Sequence, residues 1–400
     1  MKWFSYILAS FIIISISPAN SQKSSAARPE VAVVYYPHWH TYKHGNAWKG
    51  ENWTEWQEMA DAIPRFPGHE QPKVSSWGPF DESDPGWVEK EIDLAADHGI
   101  DVFLYDWYWY SGVKNMEEAL ENGFLKAKNR SRMKFALMWA NHDRRDQFYP
   151  EYGVPRNIWL YSRHTEKDLI DVVNYGIKTY FKEPIYWRVN GELFFSIFET
   201  KKFIDQLGGP ARTKEIFENI DRLLAEHGLP KMHWSGMVPN TEVAQMAEKA
   251  GFKSTSKYNI SSSNKMSPDL TVNYSDLIDE HTSFWKSITA DTRLPHMPVV
   301  TMGWDPTPRC RLDVPWPFKK IEYPYTQVVI GNTPEKFREL LGKSKRQVET
   351  DKSKHLNAIL INAWNEWTEG AYLLPEKRTG TQYLEAIKNV YGLAPATRQK

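Results

Sequence analysis

Two glutamates three residues apart, Glu366 and Glu369, lie in the run Ile361–Gly370 (INAWNEWTEG), beside Trp364 and Trp367. In a continuing strand their side chains would face opposite sides. A helical turn after Glu366 would instead bring both to one side, with Cβ atoms about 5–6 Å apart. That arrangement permits the carboxyl separation of about 5–5.5 Å used by retaining glycosidases. Aromatic neighbours would lift one carboxyl by desolvation, giving an acid beside a base. A solvated acidic turn is the competing reading of the same residues.

Further candidates gather at the ends of apolar runs. Tyr35, Tyr36, His38, Trp39 and His40 close the first run; Asp106, Trp107, Tyr108 and Trp109 close the second. Trp139, Asn141, His142 and Asp143 follow the third, and Glu199 the fourth. Trp304, Asp305 and Arg309 follow the seventh, and Asn365 and Trp367 flank the first glutamate. Singly, each is more often a packed or capping residue. Together they read as a cleft that stacks sugar rings and hydrogen-bonds their hydroxyls. His38-x-His40 could also begin a zinc site, but further ligands are lacking. His233 starts its run rather than ending it, and the last run ends in Asn and Glu rather than Asp. No metal is therefore expected. Arg309, Arg311 and Lys319–Lys320 read as a solvated basic loop, with contact to an acidic glycan as the alternative.

The elements that must carry these residues alternate. Eight runs read as buried strands: Val31–Pro37, Ile100–Tyr108, Lys134–Ala140, Leu193–Phe198, Met232–Val238, Ser254–Asn259, Met297–Gly303 and Asn357–Ala363. Tyr186–Val189, ending in Asn190-Gly191, reads as a hairpin arm into the fourth. Helical patterns lie at Trp87–His98, Met116–Lys128, Asp168–Phe181, Ala211–His227, Thr241–Ala250, Ser275–Ile288, Pro334–Glu349 and Gln382–Val390. This alternation predicts an α/β fold, a single (β/α)8 TIM barrel over residues 31–400. Helix-to-strand connections are mostly short. The long connections, 38–86, 141–167 and 304–333, all follow strands and so belong to the C-terminal face, where barrel active sites are built.

Composition narrows the function. Fifty Lys and Arg balance fifty Asp and Glu, which removes a general electrostatic case for nucleic acid or an anionic membrane. The chain carries 18 Trp, 20 Tyr and 18 Phe, rings suited to the apolar faces of sugars as well as to a core. Residues 1–22 combine Lys2, a short apolar run and a small-residue stretch at Ala19–Ser21, which reads as a signal peptide; 23–30 reads as a flexible lead-in. The run is too short for a spanning helix. A secreted or periplasmic, monomeric protein is expected, with no membrane attachment after cleavage. Cys310 is the single cysteine and can close no internal disulfide.

The run Asn362–Leu373 (NAWNEWTEGAYL) resembles the signature of the WbsX-like proteins, relatives of glycoside hydrolase family 99, the endo-α-mannosidase family. Tyr35-Tyr36-Pro37, Thr54-Glu55-Trp56, Trp139-Ala140-Asn141, Tyr180–Pro184 and Tyr383–Ala386 match in the same order. The resemblance implies a barrel and a retaining mechanism in which Glu366 is the general base on the sugar 2-hydroxyl. That oxygen attacks the anomeric carbon, while Glu369 protonates the leaving oxygen. An acid that many of these relatives carry is replaced by Leu374. The expectation is a secreted glycoside hydrolase with a carbohydrate substrate. A non-catalytic carbohydrate-binding barrel and a WbsX-type glycosyltransferase are the alternatives. No Gly-rich phosphate loop is present for a nucleotide-sugar donor, and no cofactor is expected.

Overall fold

The computed structural model describes residues 28–392. The leader and most of the lead-in fall outside them. Arg28 is the first described residue and pairs with Asp101 at 2.7 Å.

Eight parallel strands form the core: β1 (Glu30–Tyr35), β2 (Val102–Tyr110), β3 (Lys134–Trp139), β4 (Glu192–Ile197), β5 (Met232–Met237), β6 (Ser254–Ser256), β7 (Val299–Thr301) and β8 (Ala358–Asn362). Their order is β6-β5-β4-β3-β2-β1-β8-β7. A parallel bridge between Thr255 and His296 joins the two ends of this sheet, and Met297 N donates to Thr255 O at 2.8 Å. The fold is an α/β barrel. Nearly every strand position is buried, as it must be where helices cover the outside and side chains fill the centre. The hairpin arm is present: Arg188–Val189 pairs antiparallel with the start of β4.

Around the sheet run α1 (Pro85–Asp97), α2 (Glu166–Thr179), α3 (Pro210–Glu226), α4 (Thr241–Lys249), α5 (Tyr274–Asp291), α6 (Pro334–Thr350) and α7 (Gln382–Tyr391). Local chemistry sets their starts. Asp84 caps α1, followed by Pro85, whose missing N–H costs nothing at that position. Thr165 and Asp168 form a reciprocal capping box, so α2 begins at Glu166, two residues before the periodicity places it. Among the described residues no helix is long and apolar enough to cross a membrane.

One expected helix differs. Residues 116–128 do not form a regular α-helix. They make a widened turn over Ala119–Gly123 and a tight one over Phe124–Lys126. At Gly123 an added Cβ would stand 2.0 Å from the Glu82 carbonyl oxygen. The chain is thus drawn against the first long loop at a point that only glycine tolerates. Glu82 is the residue that holds this loop, accepting from Trp39 N at 2.6 Å and from His40 at 3.0 Å. Two short helices within the first long loop, Lys43–Lys49 and Trp56–Asp61, and a third after β4, Thr200–Gln206, are not marked by any sequence periodicity.

Candidate active site

A cavity of about 970 Å³ opens at the C-terminal ends of the strands. Its floor is made where the end of β8 meets β1. Asn365 Oδ1 accepts from Tyr36 N at 2.7 Å, and its Nδ2 donates to Tyr36 O at 2.9 Å. This amide clamp fixes the segment carrying Glu366. The chain then turns through a tight helical turn, Trp367–Glu369, as the spacing of the glutamates requires. Gly370 ends the turn at φ 67°, with Asp305 so close that an added Cβ would lie 2.8 Å from its Cβ and 2.9 Å from its backbone N. Asp305 N donates to Glu369 O at 2.6 Å. Both glutamates consequently line the cavity.

One buried cation organises them. Arg309, 1 % exposed, contacts Glu369 at 2.5 Å with Nη1, and Glu366 and Glu55 each at 3.5 Å with Nη2. Its Nε donates to Thr368 at 2.8 Å, and Nη1 also meets the Tyr323 hydroxyl. Tyr323 in turn donates to Glu369 at 2.6 Å. Arg309 is therefore the hub of the site rather than part of a solvated loop. Arg311, by contrast, pairs with Asp313 on the surface at 2.7 Å.

Glu55 is the buried counter-charge. It accepts from Tyr36 at 2.6 Å and Thr368 at 2.5 Å, and it touches His38 Nδ1. Burial raises its pKa, but Arg309 and His38 outweigh that and hold it at about 2. Burial pushes His38 down to about 4, so its ring is neutral at pH 7. Glu55 therefore contributes stability that is complete above its ordinary value of 4.5 and is lost as pH falls toward 2. Glu55→Gln removes this contribution, on the order of 2–3 kcal/mol at neutral pH. The check is the urea midpoint at pH 7, 4 and 3. The gap between wild type and variant should be widest at pH 7 and narrow on acidification.

On the far side of Glu366, the Tyr258 hydroxyl lies 2.6 Å from Glu366 Oε2 and 3.1 Å from Asp106 Oδ2. Burial, then the nearby Glu369 charge, raises Glu366, while Arg309 and the Tyr258 hydrogen bond work against the rise and favour the ionised form. Burial likewise raises Asp106.

Of the other residues singled out above, Tyr36, Asp106, Tyr108, His142, Asp143, Glu199 and Trp304 line the cavity. His142 is neutral at pH 7, since burial lowers it to about 4. The rest lie behind the wall. Tyr35 faces α1, donating to Glu91 at 2.7 Å. Trp39 packs on Trp56 and donates to Asn365 O at 2.9 Å. Trp107 and Trp109 stack on each other, and Trp139 packs edge-on against Phe203. Trp367 stacks on Tyr372 with centroids 3.9 Å apart. Most of the tryptophan at the strand ends thus fills core. Asn141 accepts from Glu199 N at 2.6 Å, and His38 and Asn365 act through the bonds given above. Asp305 is held by His69, Gln71 and Thr307 at 2.6–2.8 Å; burial raises it, but these donors keep it at about 2. It serves as the anchor of the glutamate turn.

His38 and His40 point to different carboxylates, Glu55 and Glu82, and do not converge. Leu374 is buried and does not line the cavity. Tyr258, Tyr323, Phe198 and Arg156 line it without having been singled out as its lining. Tyr258 falls inside the run Ser254–Asn259 but beyond the observed end of β6 at Ser256, and Tyr323 and Arg156 sit deep in long loops, where no periodicity marks them. Glu55 carries only the weak Thr-Glu-Trp signal.

Fold and rim define an α/β barrel with a carboxylate-walled cavity at the catalytic face. The chain belongs to the WbsX family: the model described as "Glycosyltransferase WbsX" matches residues 31–387. The protein named "Uncharacterized protein WxcX" in two strains of Xanthomonas campestris pv. campestris is 23 % identical over 384 residues, covering 92 % of this chain and 50 % of the relative. The chain therefore spans about half the length of the curated relatives it matches. Among solved structures, the GH99 endo-α-mannosidase from Bacteroides thetaiotaomicron is similar at 15 % identity and a TM-score of 0.57, covering 91 % of this chain and 96 % of that one. The same enzyme in complex with bis-tris-propane gives 14 % and 0.60, covering 92 % and 97 %. A "glycoside hydrolase-like protein" gives 11 % and 0.59, covering 92 % and 95 %. At these identities the likeness establishes the fold.

Proposed function

We propose that this chain is a glycoside hydrolase that cleaves a polysaccharide or glycan outside the cytoplasm with retention of configuration, using Glu366 and Glu369 as general base and general acid. One observation carries the reading: a single guanidinium, Arg309, spans both carboxylates at the floor of an open cavity. Both groups are thereby aimed at one point, the requirement for acting on a single glycosidic bond.

In the first step Glu366 takes the proton of the sugar 2-hydroxyl. The freed oxygen forms a bond to the anomeric carbon as the glycosidic bond breaks. Glu369 gives its proton to the leaving oxygen. Water then opens the 1,2-anhydro ring, Glu369 accepting its proton and Glu366 returning one to the 2-oxygen. Glu369 is clasped by Arg309 and Tyr323 through one carboxyl oxygen. Phe198, Trp304 and the phenol rings of Tyr258 and Tyr323 offer apolar faces for the sugars.

The family description favours a second reading, transfer from an activated donor. The signal-like segment at 1–22 supports hydrolysis instead, because nucleotide sugars are cytoplasmic. The test is product release from a glycan panel containing α-mannans and acidic and deoxy-sugar polysaccharides, with the first-formed anomer followed by NMR. Cleavage with retained configuration is the expected result. An inverted first product excludes the anhydro route. Binding without cleavage supports the binding barrel. Turnover only when a nucleotide sugar is supplied supports the transferase.

A further inference from the structure

Asp106 stands on β2, Tyr258 just beyond β6 and Glu366 just beyond β8, so three separate elements bring one phenol between two carboxyl groups. A phenol has a single proton. If Tyr258 donates to one carboxyl, the other must donate to Tyr258 and so must itself be protonated.

Three observations decide which. The 2.6 Å contact to Glu366 is the length of a charge-assisted bond, about 2.5–2.7 Å, whereas the 3.1 Å contact to Asp106 is longer than that class. Arg309 lies 3.5 Å from Glu366, but among the described residues no cation lies within ion-pair distance of Asp106. Finally, Asp106 Oδ1 is buried with no hydrogen-bond partner. A neutral carbonyl oxygen tolerates that far better than half of an ionised carboxylate does.

We propose that Asp106 is the neutral carboxylic acid of this site, donating to the Tyr258 oxygen while Tyr258 donates to Glu366 and keeps Glu366 ionised as the base. Asp106 is then a positioning residue that acts through Tyr258. This rests on the reading of Glu366 as the general base. The groups facing Asp106 agree with it. Tyr258 is the donor described above, Tyr108 is an unionised phenol held neutral by burial, and the Glu366 and Glu369 charges both oppose a further negative charge. Arg309, the only cation among them, is committed to Glu55, Glu366 and Glu369.

The test uses the full chain at pH 7 and reads the carboxylic-acid C=O stretch by infrared difference spectroscopy. Asp106→Asn should lose one component of that band, and Glu366→Gln should keep it. The opposite pattern overturns the proposal. Asparagine can donate from Nδ2 to Tyr258 as the protonated acid does, so Asp106→Asn should preserve the contact of Tyr258 with Glu366. Its acid limb of kcat/KM, where activity falls as Glu366 takes up a proton, should stay in place. If Asp106 were ionised, the same variant would remove a like charge and move that limb to lower pH. Tyr258→Phe should lose about 10²-fold in kcat, the cost of one preorganised donor. Should Glu366→Gln and Glu369→Gln both cleave as wild type does, the assignment of Glu366 as the base fails, while the infrared result still decides the state of Asp106.

Discussion

Glu366→Gln and Glu369→Gln should each lose about 10²–10⁴-fold in kcat/KM on the cleaved glycan while keeping the wild-type circular dichroism spectrum. Glutamine fills the same volume and still accepts from Tyr258 or Tyr323, so the turn between β8 and α7 need not move. What it cannot do is exchange a proton. The two variants should part company on an aryl glycoside with an acidic phenol as leaving group. Such a phenol departs without being protonated, so Glu369→Gln should recover much of its rate there. Glu366→Gln should not, because the 2-hydroxyl must be deprotonated whatever the leaving group. The reverse pattern would exchange the two roles. The double variant should lose scarcely more than the worse single one, since residues acting in one step are not additive. Wild-type rates in both single variants would remove these glutamates from the chemistry altogether.

The pair was legible in the sequence because two independent signals coincide there. Glu366 and Glu369 are three apart at the end of the last apolar run, and strand ends of a barrel form its catalytic face. All eight strand runs correspond to barrel strands, since a strand covered on both faces leaves a continuous apolar segment. Side-chain direction is what the sequence conceals. Tyr35 and Tyr36 are neighbours at one strand end, yet the first packs under α1 and the second lines the cavity. Period-two alternation would separate them only if the register of β1 against the barrel axis were known. The same uncertainty made Trp107, Trp109, Trp139 and Trp367 look like sugar platforms although they complete the core. Arg309 was misplaced for the opposite reason. Its neighbours Arg311 and Lys319–Lys320 are basic, so the loop reads as solvated; the approach of Glu55, 254 positions away in the chain, together with Glu366 and Glu369, supplies the reason to bury a guanidinium.

That burial makes Arg309→Met the most damaging single change for stability. Methionine matches the stem of arginine and leaves little void, so the loss is electrostatic rather than one of packing. Glu369 and Glu55 would lose their common counter-charge at buried positions. Breaking a buried pair by removing one partner costs about 3–5 kcal/mol. The carboxylates would respond by taking up protons, with burial no longer opposed by the arginine. The penalty should therefore be full at neutral pH and shrink as pH falls below the ordinary carboxylate value of 4.5, where the wild type also begins to lose its own ion pairs. Urea midpoints at pH 7 and pH 4 measure both quantities. Adding Glu55→Gln should restore part of the stability, because it deletes one of the stranded charges. Arg309→Lys gives the complementary result. An ammonium keeps the charge but lacks the fork that reaches Glu366, Glu369 and Thr368 at once. It should hold most of the stability while activity falls, separating the charge that keeps the site folded from the geometry that aims its two carboxylates. A methionine variant as stable as wild type at pH 7 would mean that Glu55 and Glu369 are already neutral, and the electrostatic account of this site would have to be abandoned.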